Sequence, residues 1–199
     1  MNPGNSKAIE EMFNLISSKY DLLNDIFSFG LHRFWKRKLL KRLKPTMGEK
    51  WIDLCCGTGD MAILLARFMK SSKDITAIDS ASQALCVAKK RSKGNYSSIQ
   101  WIKGDAVKTN LPSNQFDGLL MAYGLRNISS SDAGLREAFR LLKPGGRAGI
   151  LDFRSFEGGS IKGLFQKIYL ILYVVPIASL FGLGKEYSYI KKSLVNFPS

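Results

Sequence analysis

The chain has 199 residues, 45% hydrophobic and 23% charged, a globular composition that excludes a disordered tail, a collagen-like repeat and a coiled coil. Its 30 Lys and Arg against 16 Asp and Glu give a net charge of +14, so an anionic partner or surface is expected. Three cysteines, Cys55, Cys56 and Cys86, contain no CxxC pair, and with His32 as the single histidine neither a disulfide framework nor a metal site is expected.

The start of the chain, Met1 to Lys7, has no apolar run and no Arg-rich presequence, so no signal or transit peptide is expected and the compartment is read as cytoplasmic. Through Lys44 the chain reads as helices. Ile9, Met12, Phe13 and Ile16, then Leu22, Leu23, Ile26 and Phe27, recur at helical spacing. A third helix, Leu31–Lys44, sets Phe34, Trp35, Leu39 and Leu43 between basic residues and stops at Pro45 and Gly48. From Lys50 the pattern changes to alternating strands and helices. Strands are expected at Trp51–Leu54, Ile75–Asp79, Ile99–Lys103, Phe116–Ala122 and Arg147–Phe153, with helices at Asp60–Lys70, Ser82–Lys90 and Asp132–Leu142. Such alternation builds βαβ units around a parallel sheet, here an α/β sandwich behind a helical extension. The most apolar segment, Ile168 to Leu183, is shorter than the ~20 residues a spanning helix needs and is interrupted by Pro176. It reads as a core element or an interfacial segment.

The strongest local signal is Asp53-Leu-Cys-Cys-Gly57-Thr-Gly59-Asp60 between the first strand and its helix. Two glycines let the backbone turn sharply and approach a ligand, and the helix behind them offers unpaired N–H groups. Asp79 ends the second strand, where a carboxylate takes both hydroxyls of a ribose. Gly104-Asp105-Ala106 follows the third strand, placed to accept from an adenine amino group. Ala62 stands where a dinucleotide fingerprint wants its third glycine, which the looser form allows. An adenosine with an amino-acid tail and no pyrophosphate suits this set better than NAD, so S-adenosylmethionine is the expected cofactor.

Taken together, DLCCGTGD, KYDLLND, FGLHRFWKR, AYGLRN and LLKPGGRAGILDF resemble the ubiquinone/menaquinone C-methyltransferase family. The stretch Val174 to Pro198 resembles its demethylphylloquinone methyltransferase branch. The resemblance runs from about Lys7 to Pro198. It implies a Rossmann-like class I methyltransferase sandwich, with a parallel sheet and helices on both faces. Residues 1–48 would form a helical lid or substrate extension and residues 49–199 the S-adenosylmethionine-binding domain. Family cofactor contacts fall on Asp53, Gly57, Thr58, Gly59, Asp79, Asp105, Ala106 and Ala122, the last often serine in relatives. The active-site motif falls on Tyr123, Gly124, Arg126 and Asn127, and the lid motif contributes Tyr20, Asp21 and Asn24. Relatives continue for a helix and a C-terminal β-hairpin beyond Phe197-Pro-Ser199, so this hairpin is expected to be missing, leaving the fifth strand as a sheet edge.

Methyl transfer to carbon demands alignment and an electron-rich acceptor. The turn that holds an exocyclic amine in N-methylating enzymes is replaced by Ala122-Tyr-Gly-Leu-Arg-Asn127. No cysteine lies near strand four in the sequence, which argues against a pyrimidine-type covalent mechanism. A prenylated naphthoquinol, nucleophilic once a hydroxyl proton leaves, meets the demand. Arg126 would stabilise the ring oxygen, Asn127 or Tyr20 would orient the ring or a water, and Asp60 or His32 would take the proton. The basic helix and the apolar stretch from Ile161 would dock on an anionic membrane, giving a peripheral association. No nucleic-acid module is recognisable, and a homodimer stays open. The competing readings are a non-catalytic subunit that binds cofactor or quinone, and an RNA methyltransferase.

Overall fold

The computed structural model describes residues 6–17, 19–153, 164–165 and 168–184. The side chain of Tyr20, residues 161–163 and 166–167 of the stretch that begins at Ile161, and the end of the Val174–Pro198 stretch beyond Gly184 lie outside the described residues. Three helices come first: α1 (Ser6–Ile16), α2 (Tyr20–Ser28) and α3 (Leu31–Leu43). The alternating region follows as β1 (Trp51–Leu54), α4 (Asp60–Met69), β2 (Ile75–Asp79), α5 (Ser82–Arg91), β3 (Gln100–Lys103), β4 (Phe116–Ala122), α6 (Ser131–Leu141) and β5 (Leu142–Leu151). A π-helical turn, Leu170–Val174, runs into α7 (Val175–Leu180).

The strands form one parallel sheet in the order β3-β2-β1-β4-β5. Alternation along each strand feeds two cores. Trp51 and Leu120 point to the face covered by α4, α5 and Leu40 of α3. Ile52, Leu54, Leu119 and Met121 point to the face covered by Ala138 and Leu141 of α6. The expected strand at Arg147–Phe153 pairs in regular register only over Arg147–Leu151. Upstream, Leu142 pairs with Phe116, and the Lys143-Pro-Gly-Gly146 turn is accommodated as an irregularity in the ladder. Asp152 and Phe153 leave the sheet and turn toward the site.

The order reverses between β1 and β4, and in such sheets the crevice outside the carboxyl ends of the strands receives the ligand. The N-terminal helices roof that end. Helix α3 packs on β5, where Gly149 carries no side chain and Leu43 fills the space. Helix α1 packs on α5, and Ile16 and Leu23 join Val174, Ala178 and Leu183 in a third core. Among the described residues no helix is long and apolar enough to cross a membrane.

Candidate active site

A cavity of about 580 Å³ opens at the carboxyl ends of β1, β2 and β4, a size that takes a small ligand with its acceptor. Its floor is the glycine loop. Gly57 and Gly59 both have positive φ, +53° and +83°, and a Cβ on Gly59 would lie 2.6 Å from the Trp101 ring. Only glycine gives this turn and lets α4 start so close to β3. Among the described lining residues are Asp53, Gly57, Thr58, Asp79, Asp105, Ala106 and Ala122, so seven of the eight expected cofactor positions face the cavity; Gly59 shapes it from behind.

Asp79 ties the loop to β2. Its carboxylate accepts from the Gly57 N–H at 2.7 Å and from the Ala81 N–H at 2.8 Å. Burial pushes its pKa up against these two bonds. One lone pair on each oxygen remains for a ligand. Asp53 is fully buried and its Oδ2 has no hydrogen-bond partner among the described residues. Burial pushes its carboxyl up to about 8, although Lys36 opposes the shift. An orphaned acid in the cavity wall fits a ligand that brings a cation or a donor. Asp105, with one oxygen engaged by the Val107 N–H at 3.0 Å, lies beside buried Ala106.

Four of the expected side chains are engaged by protein partners, two of them outside the described cavity lining. Arg126 does not face the cavity among the described lining residues. Its guanidinium pairs with Asp152, both side chains nearly buried, and also donates to the Tyr123 carbonyl at 3.1 Å. A cation committed to a buried carboxylate is not offered to a ring oxygen. Asp60 does line the cavity, but Lys36 holds it at 2.7 Å and Arg91 at 3.4 Å. Burial raises its pKa, the two cations outweigh burial, and the carboxyl ends below its ordinary range, which makes a poor base. His32 is buried on α3 with Nδ1 2.7 Å from Ser28 Oγ, and burial lowers its pKa; it lies outside the cavity wall. Thr58 faces the cavity, yet its hydroxyl donates to Asp21 Oδ1 at 3.1 Å and accepts from Arg91 at 3.1 Å. Asp21 of α2 is thereby latched to the glycine loop and to α5.

Asn127 is buried in the wall and donates to the Tyr123 carbonyl at 2.9 Å. Asn24 has its Nδ2 buried without a partner among the described residues. Sequence distance misleads at Cys55. A Cβ on Gly124, two residues after β4, would meet Cys55 Sγ at 2.9 Å, so a cysteine does stand at the end of strand four. Burial, with Asp79 and Asp53 nearby, holds that thiol protonated well above its ordinary range, so it is no nucleophile. Lys36 and Arg91 escaped the sequence reading. Lys36 is buried, reaches Asp60, and stands 5.7 Å from the centroid of the Tyr123 ring. The signal was there: His32, Lys36 and Leu40, spaced by four, are the buried stripe of α3, whereas Phe34 is exposed.

The chain matches the ubiE/COQ5 methyltransferase family over residues 1–199. A 2-phytyl-1,4-naphtoquinone methyltransferase of Thermosynechococcus vestitus is 42% identical over 191 residues, 96% of this chain and 84% of that protein. The chloroplastic 2-phytyl-1,4-beta-naphthoquinone methyltransferase of Arabidopsis thaliana is 38% identical over 187 residues, 92% of this chain and 71% of that one. Among solved structures, the [4+2]-cyclase SpnF superposes with a TM-score of 0.69 at 19% identity, covering 98% of this chain and 88% of its own. An S-adenosylmethionine-dependent methyltransferase from Aquifex aeolicus gives 0.56 at 24% identity, over 63% of this chain and 67% of its own. The structural likenesses establish a Rossmann-like fold, and the family match establishes the chemistry. The chain therefore belongs to the ubiE/COQ5 methyltransferase family and is an S-adenosylmethionine-dependent methyltransferase.

Proposed function

We propose that this enzyme methylates a ring carbon of a prenylated naphthoquinol, as in phylloquinone or menaquinone formation. The observation that carries the reading is identity of about 40% to naphthoquinone methyltransferases over 96% of the chain. S-adenosylmethionine supplies a sulfonium methyl: the ring carbon gains it, the carbon–sulfur electron pair stays on sulfur, and one ring proton is released.

The residues fit that cofactor. Asp79 would take the ribose hydroxyls, Asp105 and Ala106 the adenine, and Gly57, Asp53 and Ala122 the amino-acid end. Asn127, locked by its bond to the Tyr123 carbonyl, would orient the acceptor ring. Tyr20, the first residue of α2, would orient the ring or a water. Residues 1–48 act as the lid of the domain formed by residues 49–199. With Asp60 held as an anion and Cys55 as a thiol, the ring proton leaves to solvent rather than to either side chain.

A membrane-borne substrate also accounts for the apolar tips on one side of the lid. Phe29, 72% exposed, stacks on Tyr173 with centroids 5.4 Å apart, and Leu172 and Leu180 are exposed on the same C-terminal segment. These tips, beside the basic α3, favour peripheral docking on an anionic bilayer from the cytoplasmic side. The test is methyl transfer with the acceptor reduced or oxidised. The quinol is methylated, the quinone is not, and equal rates on both would overturn the reading.

Asp53 gives a pH signature in the ligand-free protein. Its carboxyl is raised from the ordinary 3.8 to about 8, so the folded state holds a proton that the unfolded chain has released. That contribution to stability is complete below the ordinary carboxylate range and is lost as pH rises toward 8. Asp53→Asn keeps the neutral form at every pH. The melting temperature of the variant minus that of the wild type is therefore expected to rise from pH 5 to pH 8, on the order of the window set by the shift. A flat difference across that range would contradict it.

A further inference from the structure

We propose that Lys36 is a catalytic residue: its ammonium holds the ring oxygen of the acceptor as an anion while the neighbouring carbon attacks. This rests on the naphthol-acceptor reading above. The described residues lining the cavity include two cations, Lys36 and Lys103. Lys103 is largely exposed and pairs with Glu10 at 3.1 Å, away from the motif after β4. Lys36 is buried, with a side chain only 6% exposed, and Asp60 is its ion-pair partner at 2.7 Å.

An ammonium has three N–H donors that rotate about the Cε–Nζ bond. One goes to Asp60 Oδ2, and the charge also stands over Tyr123, whose ring forms the wall beside Asn127. Among the described residues Asp60 is the one hydrogen-bond partner of Lys36, and Lys36 lines the cavity, so donors remain that can rotate to a ligand there. The groups facing Lys36 are Asp60 on α4, Asp53 on β1, His32 on its own helix and Tyr123 after β4, with Arg91 of α5 beyond Asp60. Asp60 is shared with Arg91, so its negative charge is not spent on Lys36 alone. Arg126, the other cation near the motif, is committed to Asp152. Lys36 is thus the buried positive charge placed to meet an oxyanion in a site of low dielectric. The acceptor hydroxyl proton leaves to solvent, its electron pair stays on oxygen, and the ammonium keeps its three protons.

The test uses the full chain loaded with S-adenosylhomocysteine, which cannot donate a methyl, and 4-methoxy-1-naphthol as a redox-stable acceptor. Ionisation of the bound probe is followed by the naphtholate absorbance band as pH is varied. In the wild type the bound hydroxyl is expected to ionise about one to two pH units below the free probe. Lys36→Met returns it to within about half a unit of the free value, Lys36→Arg retains most of the shift, and S-adenosylmethionine affinity stays within about threefold. Turnover of Lys36→Met falls about 10- to 100-fold in kcat, and its rate recovers with rising pH. If Asp60, left with Arg91 as its ion-pair partner, unfolds that variant, Lys36→Met with Asp60→Asn removes both charges and gives the same readout. A probe shift that survives loss of Lys36 overturns the proposal. So does a loss of cofactor affinity with the probe unmoved, which would put Lys36 on the cofactor carboxylate instead. Failure of the wild type to bind the probe would sink the naphthol-acceptor reading itself, and this proposal with it.

Discussion

Asp79→Ala is expected to weaken S-adenosylmethionine binding by about 100-fold or more, measured by titration calorimetry. Two bonds from ribose hydroxyls to a half-buried carboxylate are worth about 1.5 kcal/mol or more each, and about 1.4 kcal/mol is a tenfold change in affinity. The variant also strips the Gly57 and Ala81 N–H groups of their acceptor, so the glycine loop loses its tie to β2. Asp79→Asn keeps one carbonyl oxygen and should fall between the two. Affinity within threefold of wild type for Asp79→Ala would remove Asp79 from the cofactor site and leave it as a loop anchor alone.

Arg126→Met is expected to lower stability by about 3–5 kcal/mol, because it leaves Asp152 as an uncompensated buried charge. For a chain of this size that is a fall of roughly 6–20 °C in melting temperature. Besides its Arg126 partner, Asp152 accepts from the Arg126 and Phe153 N–H groups, and this knot holds the chain as it leaves β5. Phe153 stacks on Tyr123 with centroids 5.0 Å apart, so the knot also sets one wall of the cavity. The double variant Arg126→Met with Asp152→Leu removes both charges and should recover most of the stability. A positioning role predicts that this double variant keeps cofactor affinity. A folded double variant with full stability and no detectable turnover would return Arg126 to direct contact with the acceptor.

The sheet was legible because short, nearly continuous apolar runs bounded by glycine and acidic turns, alternating with longer helical segments, leave little choice. Trp51–Leu54, Ile75–Asp79 and Phe116–Ala122 fall where the pattern sets them. That the expected cofactor residues line one cavity was legible for a related reason: a strand, a glycine turn and a carboxylate at the end of the next strand are fixed by local sequence. The rest of the cavity wall depends on helices packing across the sheet, and spacing along the chain does not encode that. Trp35 and Lys36 are neighbours in an evenly basic helix, yet Lys36 turns into the cavity while Phe34 stays in solvent. Arg126 sits inside the right motif, but Asp152, 26 residues later, claims its charge. Cys55 and Gly124 are far apart in sequence and in contact in space, because β1 and β4 are adjacent in the sheet. Charges and thiols of this kind are decided by tertiary partners.

The most direct measurement is methyl transfer from tritiated S-adenosylmethionine to a reduced demethylated naphthoquinone with an isoprenoid tail, presented in anionic lipid vesicles. Carbon methylation predicts a labelled, lipid-extractable product that still reoxidises to a quinone. No label in the lipid phase, or a labelled product that cannot reoxidise because an oxygen carries the methyl, would contradict a naphthoquinol C-methyltransferase.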